Sequence, residues 1–278
     1  MKVLLTGGSG LVGKRLAPML AERHEVTHFE QRDPADGLPW IEGSLLDPEA
    51  VREASEGMEA IVHVAAIHGA NWRDLGDHAM FETNLMGTQN VVDAAVRAGV
   101  RRVVFTSSIS ATGHGQGPPA PWLPIDEEIP RGPADLYGQS KALGEMICRF
   151  ATERYGLSTI ILRPGFICDE SVEFPATFRL LSFMVEVRDV ASAHLAALEC
   201  DAVHHSAFVI TADSPLAEVE PLRFFADRRG CLESIYPGVG AYIGDGTLDP
   251  AAITEWYTID RARMMLGWEP RLNFELPG

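Results

Sequence analysis

The fold is decided by TGGSGLVG, residues 6–13, which joins an apolar run, Val3 to Thr6, to a segment with apolar residues at helical spacing, Leu11 to Arg23. Three of its four glycines have separate jobs. Gly7 permits a tight turn, Gly10 lets backbone approach a pyrophosphate, and Gly13 lets the helix lie close to the sheet. Leu11 and Val12 open that helix, whose free N–H groups and positive dipole end suit phosphates. Strand, glycine-rich turn and helix together make a dinucleotide cradle. The next strand, Glu25 to Glu30, ends on an acid. Glu30 can accept both hydroxyls of an adenosine ribose, which favours NAD. Arg32 is the type of residue that receives a 2′-phosphate, which leaves NADP as the second choice.

Outward from the cradle, short β-rich runs alternate with helical patterns. Pro48 to Ser55 reads as helix and Ala60 to Ala65 (AIVHVA) as a buried strand. Phe81 to Ala98 puts Leu85, Val91, Val92, Ala95 and Val96 on one helical face. Arg102 to Ser107 is a strand, Leu136 to Arg154 a helix, and Thr159 to Leu162 a strand. This alternation implies βαβ units and a parallel sheet covered on both faces. The expected fold class is α/β: a Rossmann-type doubly wound sheet over residues 1–165, then a small C-terminal substrate-binding part, 166–278. In the second part Asp189 to Cys200 reads as helix, Ala207 to Thr211 as a strand returning to the main sheet, and Ile259 to Leu266 as a short helix. Phe174 to Phe183 is mixed, and residues 212–250 show no clear pattern. The proline-rich loop from Thr112 to Pro133 is long enough to suggest a functional role.

Composition narrows the function classes. The chain has 278 residues with 23 basic and 39 acidic side chains, a net charge of −16. Phosphate backbones are bound by clustered Lys and Arg, so this balance argues against a nucleic-acid partner. No apolar run is long enough for a membrane span, and because Met1 to Leu5 runs straight into a strand no signal peptide is expected. Cys148, Cys168, Cys200 and Cys231 form no CxxC motif, so reduced thiols and a cytoplasmic location are expected. The histidines lack metal-ligand spacing, so no metal site is expected.

Tyr137 and Lys141 stand four residues apart at a helix start, so both side chains share one face. A phenol titrates near ~10, and a neighbouring ammonium favours the phenolate, which suits Tyr137 to proton transfer. Ser108 ends the strand containing Val103, Val104 and Phe105, and can hydrogen-bond a reacting oxygen. Ligands bind at this carboxyl edge of a parallel sheet.

With these residues in place the chain resembles the extended short-chain dehydrogenase/reductases, the group of NAD-dependent epimerases, dehydratases and sugar dehydrogenases. The resemblance runs through TGGSGLVG (6–13), VHVAA (62–66), NLMGTQNVVDAA (84–95), VVFTSS (103–108), YGQSK (137–141), LRPG (162–165), RDVASAHLAALE (188–199) and LGWEP (266–270). It implies a Ser108–Tyr137–Lys141 triad, with Asn84 supporting the active-site helix and a proton-relay water. It also implies that Ala65 and Ala66 line the cofactor, that Leu45 lies at the adenine site, and that Pro164 to Phe166 flank the nicotinamide amide.

The departures from this pattern bear on substrate. Ser44-Leu45 replaces the usual Asp-Ile or Asp-Leu at the adenine site. Ile109-Ser110 follows the catalytic serine, where sugar dehydratases carry an acidic pair, which argues against water elimination. Only twenty residues separate Pro164 from Val185, a shorter cover than nucleotide-sugar epimerases have. FRLLSF (178–183) is similar to the matching part of uronate dehydrogenases, and Arg179 would receive a carboxylate in bidentate fashion. His68, and His114 beyond it, follow strand ends and are candidate substrate contacts, with Ile109 and Ser110. His63 reads as a core histidine. Trp72, Trp256 and Trp268 read as packing, and Trp122, in the proline-rich loop, as a possible sugar platform. The apolar faces of helices 81–98 and 136–154 suggest a homodimer. The expected function is NAD-dependent hydride transfer on a small sugar or sugar acid. A nucleotide-sugar epimerase and a non-catalytic NAD(P)-sensing protein are the alternatives.

Overall fold

The structure, a computed structural model, describes residues 1–113, 123–130 and 132–277. Among the described residues the strands are β1 (Lys2–Thr6), β2 (Glu25–Glu30), β3 (Trp40–Glu42), β4 (Ala60–His63), β5 (Arg102–Thr106), β6 (Ser158–Pro164), β7 (Phe166–Cys168), β8 (Met184–Glu186) and β9 (His205–Ile210). Seven of them form one parallel sheet in the order β3-β2-β1-β4-β5-β6-β9, while β7 and β8 pair with each other. The order reverses between β1 and β4, the switch point at whose carboxyl edge open α/β sheets bind ligands. Residues such as Val3–Leu5, Ile61–Val62 and Ile160–Leu162 are buried without alternation, as strands covered on both faces must be.

The helices are α1 (Leu11–Ala21), α2 (Pro48–Ser55), α3 (Gly69–Ala98), α4 (Leu136–Tyr155), α5 (Val187–Glu199), α6 (Pro221–Ala226), α7 (Arg228–Ile235), α8 (Val239–Gly244) and α9 (Asp260–Leu266). One core joins α1 and α5 to the sheet through Leu16, Leu20, Val190 and Leu198. On the other face α2, α3 and α4 pack through Val51, Val91, Ala95 and Cys148. A third cluster, around Phe178, Phe224, Trp256 and Phe274, builds the smaller C-terminal part. The two parts interleave. Trp268 lies in the α1–α5 core and donates its indole N–H to the Asp189 carbonyl and to Ser192 Oγ. The Asp189 carboxylate receives the N–H groups of Arg271 and Leu272.

Several boundaries differ from the sequence expectation. α3 begins at Gly69 rather than Phe81, and a non-helical Gly76 (φ 85°) breaks it into a short first piece and a long second one. The first piece is mostly exposed and has no apolar stripe to reveal it. β3 is three residues with no buried side chain, too short to show a pattern. β4 stops at His63, two residues early. Phe174 to Phe183 contains a 3₁₀ turn, Ala176–Leu181, that buries Phe178, Leu180 and Leu181. The unplaced region 212–250 holds α6, α7 and α8, each at most eight residues long.

Candidate active site

The strand ends bring the cradle together. A Cβ on Gly7 (φ +82°) would lie 2.5 Å from the Ala65 backbone nitrogen, so the turn after β1 sits directly against the chain leaving β4. A side chain there would separate the two segments. A Cβ on Gly13 would meet the Gly7 carbonyl, which fixes how closely α1 approaches the loop. Gly10 donates its N–H to the Gly7 carbonyl (3.1 Å) and precedes the helix opened by Leu11 and Val12. Glu30 Oε1 accepts from Ser9 N (3.0 Å) and Ser9 Oγ (3.2 Å), which holds the acid at the rim of the cradle. Leu45 is buried, and its carbonyl accepts from Asn90 Nδ2 (2.8 Å). Ala65 N points to Thr6 Oγ1 (3.4 Å), and Ala66 is half-buried beside it. Pro164 closes β6 opposite Ile210. This arrangement fits a dinucleotide: a narrow backbone turn, a free helix N-terminus and a carboxylate held one strand away.

The reacting groups meet at the end of β5. Ser108 is buried, and its Oγ accepts from Ser110 N (3.1 Å). Asp135 caps α4 through Gly138 N (2.7 Å), which places Tyr137 in the first turn. Lys141, one turn on, is buried and donates from Nζ to the Thr106 carbonyl (2.8 Å). That ammonium lies 5.1 Å from the Phe105 ring centre and 5.8 Å from that of Tyr137. Asn84 is buried on α3. Its Oδ1 accepts from Ile67 N (2.8 Å), and its Nδ2 donates to the Ile67 carbonyl (3.0 Å) and Ser140 Oγ (3.3 Å). Ser140 Oγ in turn donates to the Tyr137 carbonyl (2.7 Å). Asn84 thereby ties the chain after β4 to the turn that carries Tyr137.

Electrostatically, burial outweighs the ammonium. The Tyr137 phenol is pushed up to about 12 by burial, against a partial lowering by its hydrogen bond with Ser108. The Lys141 ammonium is pushed down to about 7 by burial, against the opposing pull of Cys148 and Glu145. Burial therefore opposes the lowering expected from Lys141, and the phenol is protonated at neutral pH. His63 is buried between Thr6 Oγ1 (2.7 Å) and Thr88 Oγ1 (3.1 Å), and burial pushes it down to about 3, so it stays a neutral core histidine.

The substrate candidates fare unequally. His68 stands at the start of α3 with its ring centre 6.1 Å from that of Tyr137, and burial followed by Lys141 lowers its pKa. Ser110 is half-buried and bonded to Ser108. Ile109 turns into a small apolar cluster with Ile125, Val209 and Tyr257, so its side chain is packing rather than a substrate contact. Arg179 is exposed on the 3₁₀ turn and has no hydrogen bond or ion pair to the triad residues among the described contacts. Trp256 and Trp268 are buried as packing residues. Trp72 is not: its ring centre lies 6.5 Å from that of Tyr137. Only the helix register of the missed piece 69–75 would have signalled this. His114 and Trp122 lie outside the described residues. Among the described residues no group of three metal-ligating side chains occurs, and no helix is long and apolar enough to cross a membrane. A polar hollow of about 400 Å³ lies elsewhere, over β6 and β9, lined by Glu127, Arg163, His205 and Arg261. Its guanidiniums are already paired with Glu145 and Glu127.

Comparison with known proteins places this geometry. Residues 3–168 match the profile of the NAD dependent epimerase/dehydratase family, which spans the cradle, the triad and β6. The chain belongs to that family. That family, the extended short-chain dehydrogenases/reductases, is NAD-dependent. Within the epimerase/dehydratase family the chain is 32 % identical over 197 residues to uronate dehydrogenase of Pseudomonas putida, covering 68 % of each protein. It is 28 % identical over 290 residues to NAD-dependent glucose-6-phosphate dehydrogenase of Haloferax volcanii, covering 98 % of this chain and 93 % of the other. A solved short-chain dehydrogenase/reductase superfamily protein from Agrobacterium tumefaciens, with bound NAD, shares the fold: its TM-score is 0.74 at 24 % identity, over 98 % of this chain and 93 % of that one. Two relatives with 36 % identity are matched over only 40 % and 51 % of their own length, so the chain spans about half of those proteins.

Proposed function

We propose that this epimerase/dehydratase-family enzyme is an NAD-dependent dehydrogenase of a small sugar or sugar acid. NAD would be held by Gly7 to Gly13, Glu30, Leu45, Ala65, Ala66 and Pro164, with Tyr137 and Lys141 at its nicotinamide end. When bound, it supplies the hydride acceptor at the carbon that carries the reacting oxygen. The reading rests on one observation. Ser108 is hydrogen-bonded to Tyr137 and Lys141 is anchored one turn on, at the carboxyl end of β5, and only β7, the turn Ala176–Leu181 and β8 lie between β6 and α5.

Each residue has a definable task. Ser108 hydrogen-bonds the reacting oxygen and Tyr137 exchanges its proton. Lys141, anchored on the Thr106 carbonyl, sets the charge beside the phenol. Because burial keeps Tyr137 protonated at neutral pH, the tyrosine is poised as the acid for carbonyl reduction. Alcohol oxidation needs its phenolate and gains as pH rises. Asn84 is a positioning residue, through Ser140 and the Tyr137 carbonyl.

The short cover supports a compact substrate over a nucleotide sugar. Exposed Arg179 on that cover is a candidate carboxylate partner. The α4 stripe of Leu143, Met146 and Phe150 is exposed, which supports a homodimer, and light scattering on the purified protein checks it. The four cysteines are free, in keeping with a reducing cytoplasm.

The test is a screen of free sugars, uronates and nucleotide sugars with NAD and NADP, reading NADH formation. Net reduction of NAD by a free sugar or uronate supports the proposal. Tyr137→Phe should abolish it while NADH binding stays nearly intact. Interconversion of nucleotide sugars without net reduction refutes it in favour of an epimerase.

A further inference from the structure

Facing the phenol of Tyr137 are two rings from one short stretch. His68 lies at a centre-to-centre distance of 6.1 Å and an interplanar angle of 52°. Trp72 lies at 6.5 Å and 32°. Both come from the first piece of α3, which Gly76 breaks from the long piece that carries Asn84. Trp72 lies before that break, while the buried Met80 and Asn84 lie after it. The indole is half-exposed, and its N–H is committed to Asp77 Oδ1 (2.8 Å). The polar edge of Trp72 is thus turned to its own helix, and its ring remains as apolar surface at the mouth of the site. A buried packing tryptophan would look different: Trp256 and Trp268 are almost wholly enclosed in their clusters.

An indole face is electron-rich and attracts hydrogens that carry partial positive charge. The C–H groups of a sugar ring are of that kind, because each carbon bears oxygen. A half-exposed indole beside the proton-transfer group is therefore suited to one face of a compact ring, with the ring's hydroxyls left to Ser108, Tyr137 and His68.

We propose that Trp72 is a specificity-determining wall of the substrate site, which takes the C–H face of a cyclic sugar or sugar acid and presents its hydroxyl-bearing edge to Tyr137. This rests on the dehydrogenase reading above and adds the residue that selects ring shape. The contact is made alike before and during reaction, so it acts on binding more than on the chemical step.

The experiment uses the full-length protein with NAD and four free substrates: D-glucuronate, D-galacturonate, L-arabinose and D-glucose 6-phosphate. On whichever are oxidised, Trp72→Ala should raise KM about tenfold while kcat falls less than about threefold, and Trp72→Phe should restore most of the loss. The NADH dissociation constant should stay within twofold of wild type in both variants. A packing role would instead lower the thermal midpoint and spare KM. Unchanged KM in Trp72→Ala, with sugar oxidation intact in the wild type, overturns the wall and leaves the dehydrogenase reading standing. No oxidation of any of the four by the wild type, with NADH still bound, overturns the sugar reading and the wall with it.

Discussion

Gly144→Ala is a sharp test of how packing sets the chemistry. Gly144 lies on α4, one turn beyond Lys141, against Phe105 of β5. A Cβ at this position would sit 2.6 Å from Phe105 Cζ. Carbon atoms pack best at roughly 3.5–4.0 Å, so ring and helix must separate by about 1 Å. The ring has little freedom to yield: it is buried, stacked on His63 at 5.8 Å, and lies under the Lys141 ammonium. Overpacking of this kind costs about 1–3 kcal/mol. Replacing a helical glycine by alanine recovers about 1 kcal/mol of helix propensity, so the net loss of stability is only about 0–2 kcal/mol. The site suffers more. α4 carries Tyr137 and Lys141 while β5 leads to Ser108, and a misplacement of about 1 Å between reacting groups lowers turnover on the order of 10²-fold. The assay pairs urea unfolding with turnover on the oxidised sugar, for wild type, G144A, F105L and the double variant. Phe105→Leu removes the tip of the ring, so the double variant should regain at least tenfold of the turnover lost in G144A. Wild-type turnover in G144A, or no rescue in the double variant, would refute the argument that this contact sets the triad.

The buried pair Glu145–Arg163 gives a second prediction. Arg163 meets both carboxylate oxygens at 2.8 Å, and Ser107 Oγ adds a bond at 2.7 Å. Glu145→Gln should cost about 3–5 kcal/mol in urea unfolding, while replacing both partners by Met should cost less, because no charge is then left buried alone. A loss under 1 kcal/mol in the single variant would show that the pair is not isolated from water. Acid stability gives the third. His194 is buried between Thr106 Oγ1 (2.7 Å) and the Val190 carbonyl (2.8 Å), and burial pushes its pKa down to about 4. The unfolded chain takes up this proton first, so stability is lost as pH falls from about 6.5 towards 4, by about 3 kcal/mol at pH 4. His194→Gln should flatten that part of the urea-midpoint profile, and an unchanged slope would count against the assignment.

The legible parts of the chain were those where one local cause dominates. The glycines of 6–13 have few other uses in that spacing, and the alternation of apolar strands with amphipathic helices left little choice but a parallel sheet. Tyr137 and Lys141 were readable because four residues on a helix guarantee a shared face. What could not be read depended on distant neighbours. Ile109 looked like a cleft residue by its place after Ser108, but Ile125, Val209 and Tyr257, far along the chain, enclose it. Trp72 looked like packing, because nothing in its neighbourhood marks the break at Gly76 as a change of direction. The balance at Tyr137 depends on distant neighbours in the same way. The neighbouring ammonium is visible in the sequence, but the depth of burial that opposes it is not.

The sheet has to stop somewhere, and how it stops bears on the solubility of the protein. An edge strand with free outward amides is a template on which another chain can add a strand. β9 is such an edge, next to β6 alone. Val209, on the outward side of its ladder, gives its N–H to Glu127 Oε1 at 2.8 Å. Glu127 also accepts from Arg163 through its backbone carbonyl and pairs with Arg261 through its carboxylate. A carboxylate from the chain's own loop, paired with Arg261, thus occupies one of the outward amides that an eighth strand would need. The opposite edge, β3, is only three residues long and offers little to pair with. The parallel sheet can therefore stay hydrophobic through its centre without inviting edge-to-edge growth between molecules.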